Sequence, residues 1–182
     1  YRGFKNPEDS RHMANETDKN EVDSLIRAVS GSYKIVQDFY KLKAKLLKLK
    51  TLKDYDRYAP IGASRAKYSL REARKLVVGA FSDLSTDFGK LADRFFKDNW
   101  IDAENRKGKR SGAFCSFVTA RTHPVVFINY HGSLRDVFTL AHELGHGIHA
   151  VKMKEAGSIN FDTPLTIAET ASVFAEMLLF NH

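Results

Sequence analysis

"TLAHELGHGIHA", residues 139–150, decides how this chain is read. It places His142 and His146 four residues apart, with Glu143 directly after the first histidine. On a helix, residues four apart have Cβ atoms roughly 5–6 Å from one another. Zinc–nitrogen bonds are about 2.0–2.1 Å, so two such imidazoles can converge on a single ion. Glu143 points about 100° round from His142, at the edge of the pair. From there it reaches a water held on the ion more easily than the ion itself. The flanks favour a helix. Ser133 is an N-cap candidate and Gly157 a stop signal, which predicts a helix from 134 to about 155. Val137, Leu140, Ala141, Leu144, Ile148 and Val151 form its apolar stripe.

H-E-x-x-H on a helix is a zinc-hydrolase pattern, but a third ligand is needed. His149 lies close to His142 on the helical wheel, yet seven residues separate them, about 10.5 Å along the axis. One ion cannot reach both, so His149 is expected to support a ligand or to pack. Glu169 is the better candidate. The Gly157–Pro164 connection lets a last helix, opened by Thr163 and Pro164 and running to about 180, fold back beside the first. Glu169 stands in the apolar run "LTIAETASVFAEMLLF", where an unpaired carboxylate is costly. Two histidines and one carboxylate leave the fourth zinc position open, the catalytic arrangement. Glu176 shares the stripe of Glu169 and is read equally as an acceptor for a ligand histidine or as a solvated residue. Gly145 and Gly147 each cost a helix roughly 1 kcal/mol relative to Ala, which close packing against a neighbour or a substrate would explain.

The rest of the chain is mostly helical in pattern. Residues 1–17 are polar without a clear period. Residues 19–51 recur helically through Val22, Leu25, Ile26, Val29, Tyr33 and Val36, with Gly31 as a bend. Residues 55–62 read as a loop, "SLRE" from Ser69 as a capping box, and 81–100 as further helix after a break near Ser82. At 105 the texture changes. "NRKGKRSG" is a turn-rich loop, and 113–120 and 124–130 read as two short strands.

Length and composition set bounds. The 182 residues suffice for one core, and the single cysteine, Cys115, excludes an internal disulfide and fits a reducing compartment. No apolar run approaches the roughly 20 residues of a membrane span. The first residue is Tyr1, so an address signal could lie upstream. The net charge of +7 is uneven: residues 1–110 carry 25 Lys+Arg and 16 Asp+Glu, and residues 111–182 carry 4 and 6. "KLKAKLLKLKTLK" (41–53) admits a nucleic-acid reading. The solvated helix face is favoured, because the lysines alternate with leucines of core type and no recognition signature accompanies them.

Three segments, "GKRSGAFCSF", "GSLRDVFTLAHELGHGIHA" and "IAETASVFAEMLL", resemble in order and spacing the oligoendopeptidase F branch of the thimet oligopeptidase family. The upstream "YKLKAKLLKLKTLKDYDRYAPIG" and "FSDLSTDFGKLADRFFKDNWIDA" are similar to it too, so the likeness covers most of residues 20–182. The resemblance implies a mainly α fold with a small β-sheet, zincin-like, with the HExxH helix beside a second helix carrying the third ligand. It implies a zinc-dependent endopeptidase of short oligopeptides. His142, His146 and Glu169 would be the zinc ligands, Glu143 the general base, and Gly112, Ala113 and Phe114 a strand along the substrate backbone, expected to be an edge strand. Family members are several times longer, so residues 1–182 are expected to be one segment of a larger catalytic domain, with a helical part at 1–104 and the strands and zinc-site helices at 105–182. The family's transition-state His and Tyr lie on helices beyond the metal carboxylate, so the zinc site is expected to be complete here and the oxyanion partners absent. Short peptides are the expected partners, with no nucleic acid and no membrane, in the cytoplasm. The alternative is a zinc-stabilised, catalytically incomplete fragment with a binding or structural role.

Overall fold

The computed structural model describes residues 3–62 and 66–182, and of the polar opening stretch residues 1 and 2 lie outside the described residues. The chain forms two compact units, Tyr1–Arg65 and Ala66–His182.

The first unit is helical. After a short α1 (Asp9–Ala14), which the polar sequence did not announce, come α2 (Lys19–Gly31) and α3 (Tyr33–Leu46). Asp18 caps α2 and exchanges bonds with Glu21, a full capping box. The interruption falls at Ser32, beside the expected Gly31. The run ends at Leu46 rather than 51, because Lys48 turns the chain with φ +57°. One expectation is corrected here. The leucines among the lysines of 41–53 were read as of core type, yet Leu42 and Leu46 are each more than half exposed, as are Leu25 and Val36 before them. Helical periodicity assigns such residues to one face of their helix, and nothing among the described residues of this unit buries it.

The second unit holds the core. α4 (Leu70–Leu84) starts at the Ser69 capping box and packs on α5 (Thr86–Lys97). The break between them is at Ser85, whose hydroxyl caps α5, and not at Ser82, whose hydroxyl instead bonds back to the Val78 carbonyl within α4. Three strands follow: β1 (Ile101–Asp102), β2 (Ala113–Ser116) and β3 (Val125–Ile128), in the order β1-β3-β2. β1 runs parallel to β3, and β2 antiparallel to it with Phe114 opposite Phe127. β2 is shorter than the predicted 113–120, because Thr119 accepts bonds from Thr122 and Arg121 and turns the chain. α6 (Leu134–Met153) begins at Ser133, which forms a capping box with Asp136, and a 3-10 turn carries it to Gly157 at φ +82°. The last helix is not continuous. α7 (Leu165–Ala168) stops at Glu169, and α8 (Thr170–Asn181) resumes from it. Pro164, not Thr163, occupies the N-cap position of α7.

Val77, Phe95, Val126, Ile128, Leu140 and Leu144 are wholly or almost wholly buried between α4, α5, α6 and the sheet. α4 and α5 thus belong with the sheet and α6. The boundary between compact units falls at 65/66, well before the change of texture at 105. None of the described helices is long and apolar enough to cross a membrane.

Candidate metal centre

α6 and α8 pack closely along their length, and glycine permits it. A Cβ on Gly145 would stand 2.6 Å from the Ala171 carbonyl oxygen and 2.7 Å from Ser172 Cα. A Cβ on Gly147 would stand 2.6 Å from the Phe95 ring. The expectation that both glycines mark close packing is met, by helix–helix contact at the first and by an aromatic side chain at the second.

This approach brings Glu169 over the histidine pair. Its Oε2 lies 3.1 Å from His142 Nε2 and 3.3 Å from His146 Nε2. The three donor atoms all lie within 4.8 Å of one another. On the far side of His142, Nδ1–H donates to Glu176 Oε1 at 2.6 Å. That bond fixes the tautomer, so that Nε2 turns an unshared pair towards Glu169. Two imidazole nitrogens and a carboxylate oxygen facing one another repel unless a proton or a cation lies between them. Bonds of about 2.0–2.2 Å at tetrahedral angles separate zinc ligands by roughly 3.3 Å. The donor set and both Glu169 distances therefore fit a zinc ion.

Glu143 is set apart from this cluster. It is only 6% exposed, and its Oε2 is buried without a hydrogen-bond partner. Burial pushes its carboxyl up to about 7, opposed by the nearby His142, assisted by Glu169, and opposed again by the Cys115 backbone N–H. This buried carboxylate oxygen lies on the same helix as the two histidines, and its residue lines the same cleft. Burial also lowers the affinity of His146 for protons, which keeps its nitrogen available to a metal.

The reason given for Glu169 from sequence is corrected. Its side chain is 61% exposed, so desolvation is not what demands a partner. The break between α7 and α8 turns it out of the apolar face, and its carboxyl is held below the usual range first by the Ser172 hydroxyl. Glu176 takes the first of its two readings, as the acceptor for His142.

A cleft of about 310 Å3 opens over the cluster. His142, Glu143, His146 and Glu169 line it, together with Ala113, Phe114, Cys115 and Phe117. β2 is the edge of the sheet, with one side free of strand pairing among the described residues. Gly112, at φ +93°, lies just before it and lines a neighbouring hollow with Arg135 and Thr139. His149 lines the cleft one turn beyond His146. The Cys115 thiol is pushed up to about 12 by burial and then by Glu143, so it stays protonated.

Some contributing residues gave little sign in the sequence. The Lys109 side chain is only 2% exposed, and its ammonium donates to the carbonyls of Asp102, Glu104 and Ile128 and to Asp102 Oδ1. Asn129 donates to the carbonyls of Arg110 and Gly112. Together they pin the loop that delivers β2. Ser172 is wholly buried, and its Oγ lies 2.7 Å from Glu169 Oε2. A hydroxyl in an apolar run carries no pattern that would single it out.

The family model described as Peptidase family M3 matches residues 1–182. An oligoendopeptidase F homolog of Borreliella burgdorferi is 31% identical over 100% of this chain and 31% of its own length. The chromosomal oligoendopeptidase F of Lactococcus lactis subsp. cremoris is 30% identical over 92% of this chain and 28% of its own. The chain thus spans about a third of the length of these relatives. A crystal structure of a proposed peptidase from Chlamydophila abortus superimposes with a TM-score of 0.73 at 31% identity, over 94% of this chain and 29% of that one. A proposed oligoendopeptidase F from Bacillus anthracis shares the fold, with a TM-score of 0.83 at 20% identity over 98% and 34%.

Proposed function

The chain belongs to peptidase family M3, and on that premise we propose that it carries the metal site and the general base of a zinc-dependent endopeptidase of short oligopeptides. The observation that carries the reading is the position of Glu169 Oε2, 3.1 and 3.3 Å from the two imidazole nitrogens of the HExxH helix.

His142, His146 and Glu169 hold the ion, and Glu176 orients the His142 imidazole through its Nδ1–H. Zinc, when bound, polarises the scissile carbonyl and acidifies a water. Glu143 takes a proton from the attacking water and delivers it to the leaving amine. Its burial supports this double duty, because a carboxyl near neutrality both accepts and returns a proton at working pH. The substrate lies extended along the free edge of β2, where Gly112, Ala113 and Phe114 pair with its backbone. Backbone pairing reads no side chain, which suits peptides of varied sequence. The region is a segment of a larger catalytic domain, works in the cytoplasm, and has short peptides as its partners.

The test is Glu143→Gln in the intact protein. About one zinc per chain is retained, while peptide hydrolysis falls by roughly 10²–10⁴-fold, the range of a general base. Full activity with zinc still bound would remove Glu143 from the mechanism. Zinc retained in full by His142→Ala, His146→Ala and Glu169→Ala would remove the metal site.

A further inference from the structure

Glu169 raises a question of positioning. Its side chain is 61% exposed and stands at a break between two helices, with backbone angles φ −89° and ψ 0°. An exposed glutamate samples several rotamers in solution, and ordering it costs conformational entropy. Its Oε2 nevertheless stands against both imidazole nitrogens, 3.1 and 3.3 Å away.

Ser172 supplies the restraint. It lies in the first turn of α8, three residues after Glu169, and is wholly buried. Its Oγ is 2.7 Å from Glu169 Oε2 and 3.0 Å from the Glu169 carbonyl oxygen. A serine hydroxyl has one proton to donate. The shorter contact is to the charged acceptor, and a charge-assisted bond is the stronger of the two. Ser172 is closely confined, being wholly buried with its Cα 2.7 Å from where a Gly145 Cβ would stand. It therefore abuts bare backbone of α6, one residue before His146. The chain of contacts runs from Gly145 through Ser172 to the single carboxylate oxygen that faces His142 and His146.

We propose that Ser172 is a positioning residue for the metal carboxylate: its buried hydroxyl, seated against Gly145, holds Glu169 Oε2 over the two imidazoles and so preforms the zinc site. This rests on the reading of His142, His146 and Glu169 as ligands. The competing account is a helix-end serine that only satisfies the Glu169 carbonyl, with no consequence for metal.

The experiment is zinc affinity in the intact protein, measured by competition with a chromophoric chelator after metal removal. The fold of each variant is followed by circular dichroism. Ser172→Ala is expected to weaken zinc binding by about 10–100-fold, the usual effect of losing a group that orients a ligand. The metal-free protein should keep its far-ultraviolet spectrum. Ser172→Thr, which keeps a hydroxyl on the same carbon, should recover affinity to within about fivefold of the parent. Glu169→Gln is the control for the underlying reading. If it leaves zinc binding unchanged, Glu169 is not a ligand and that reading fails, whatever Ser172 does. If Glu169→Gln weakens binding while Ser172→Ala stays within about twofold of the parent, the proposal alone is overturned. It is equally overturned if threonine is no better than alanine, or if Ser172→Ala fails to fold, since the hydroxyl would then serve packing in general.

Discussion

Leu25, Ile26 and Val29 recur at helical spacing on α2, and Val137, Leu140 and Leu144 do the same on α6. The first three are 50–65% exposed, and the last three are 0% exposed. The contrast extends to the whole of each unit. Among the described residues of the first unit no apolar side chain is buried, whereas the second encloses its core between α4, α5, α6, α8 and the sheet. Amphipathic spacing is a property of one helix, but burial depends on what arrives to cover it. The second unit supplies that cover from its own elements, and the candidate metal centre lies between two of them, α6 and the start of α8.

The largest test of the contrast removes one leucine from each unit. Leu144→Ala should cost about 2–5 kcal/mol in chemical denaturation, as deletions in closed cores do. Leu25→Ala should stay within about 0.5 kcal/mol, as at exposed positions generally. Equal costs would break the comparison, because α2 would then be covered in solution.

Glycines offer a second test. Gly31 has nothing within 4 Å of the place a Cβ would take, whereas a Cβ on Gly145 would meet backbone at 2.6 Å. Gly31→Ala should stabilise by about 0.4–1 kcal/mol through the unfolded chain. Gly145→Ala should destabilise by about 1–3 kcal/mol and push α8 away. It should also weaken zinc binding, because Glu169 moves with α8. A stable Gly145→Ala variant with unchanged zinc affinity would separate helix packing from the metal centre.

Charged residues are buried in both units, among them Lys43 in the first and Glu143 in the second. Lys43 is satisfied, since its ammonium donates to the Arg57 carbonyl at 2.7 Å. Glu143 Oε2 is not. Its folded carboxyl titrates near 7, above its ordinary value of 4.5, so the folded state favours the protonated form. Stability is then complete below about pH 4.5 and declines as pH rises through 7. Glu143→Gln should leave the metal-free protein unchanged at pH 4 and stabilise it at pH 8 by on the order of 1–2 kcal/mol, less than the full shift because a buried amide keeps part of the desolvation cost. A thermal melt of metal-free parent and variant at the two pH values decides this. A gain at pH 4 equal to that at pH 8 would remove ionisation as the cause.

What was legible in the sequence was what short spacing encodes. The capping box at Ser69, the N-cap at Ser133, the stop at Gly157 and the two histidines on one face are all settled within a few residues. Glu169 was found from its position in the chain, although the argument from burial did not hold. Other features depend on distant partners. β1 is two residues long and exists because Ile101 aligns with Val126 on a strand far along the chain. Ser172 matters because Gly145 lets α8 come near. The helix break at Glu169 leaves no Gly or Pro signal at the site. The exposure of α2 and α3 was illegible for the same reason, since no pattern within a helix says whether its apolar face will be met.

The smallest effects concern carboxylates, and they sharpen the comparison on the surface. Asp38 on α3 pairs with Lys34 at 2.7 Å, and both are at least half exposed. Asp102 on β1 bonds Arg106 at 2.8 Å and the almost fully enclosed Lys109 ammonium at 3.1 Å. Both carboxyls are held below the ordinary range, Asp38 first by Lys34 and Asp102 first by Arg106. For each, the folded carboxyl releases its proton more readily than the unfolded one. Any stability it adds is therefore present above about pH 4 and lost as pH falls below that. Solvent screens the Asp38 pair, and exposed i,i+4 pairs contribute little, so Asp38→Asn should leave the melting curve unchanged at pH 7. Asp102→Asn keeps an acceptor oxygen but removes the charge opposite an ammonium that cannot reach water, so it should lower the melting temperature measurably at pH 7. As pH falls below about 4 the stability added by the Asp102 charge is progressively lost, and the two curves should approach each other. A difference that persists undiminished at low pH would mean that Asp102 acts through packing rather than charge. A loss in Asp38→Asn as large as in Asp102→Asn would mean that the first unit is less open to solvent than its exposed helices imply.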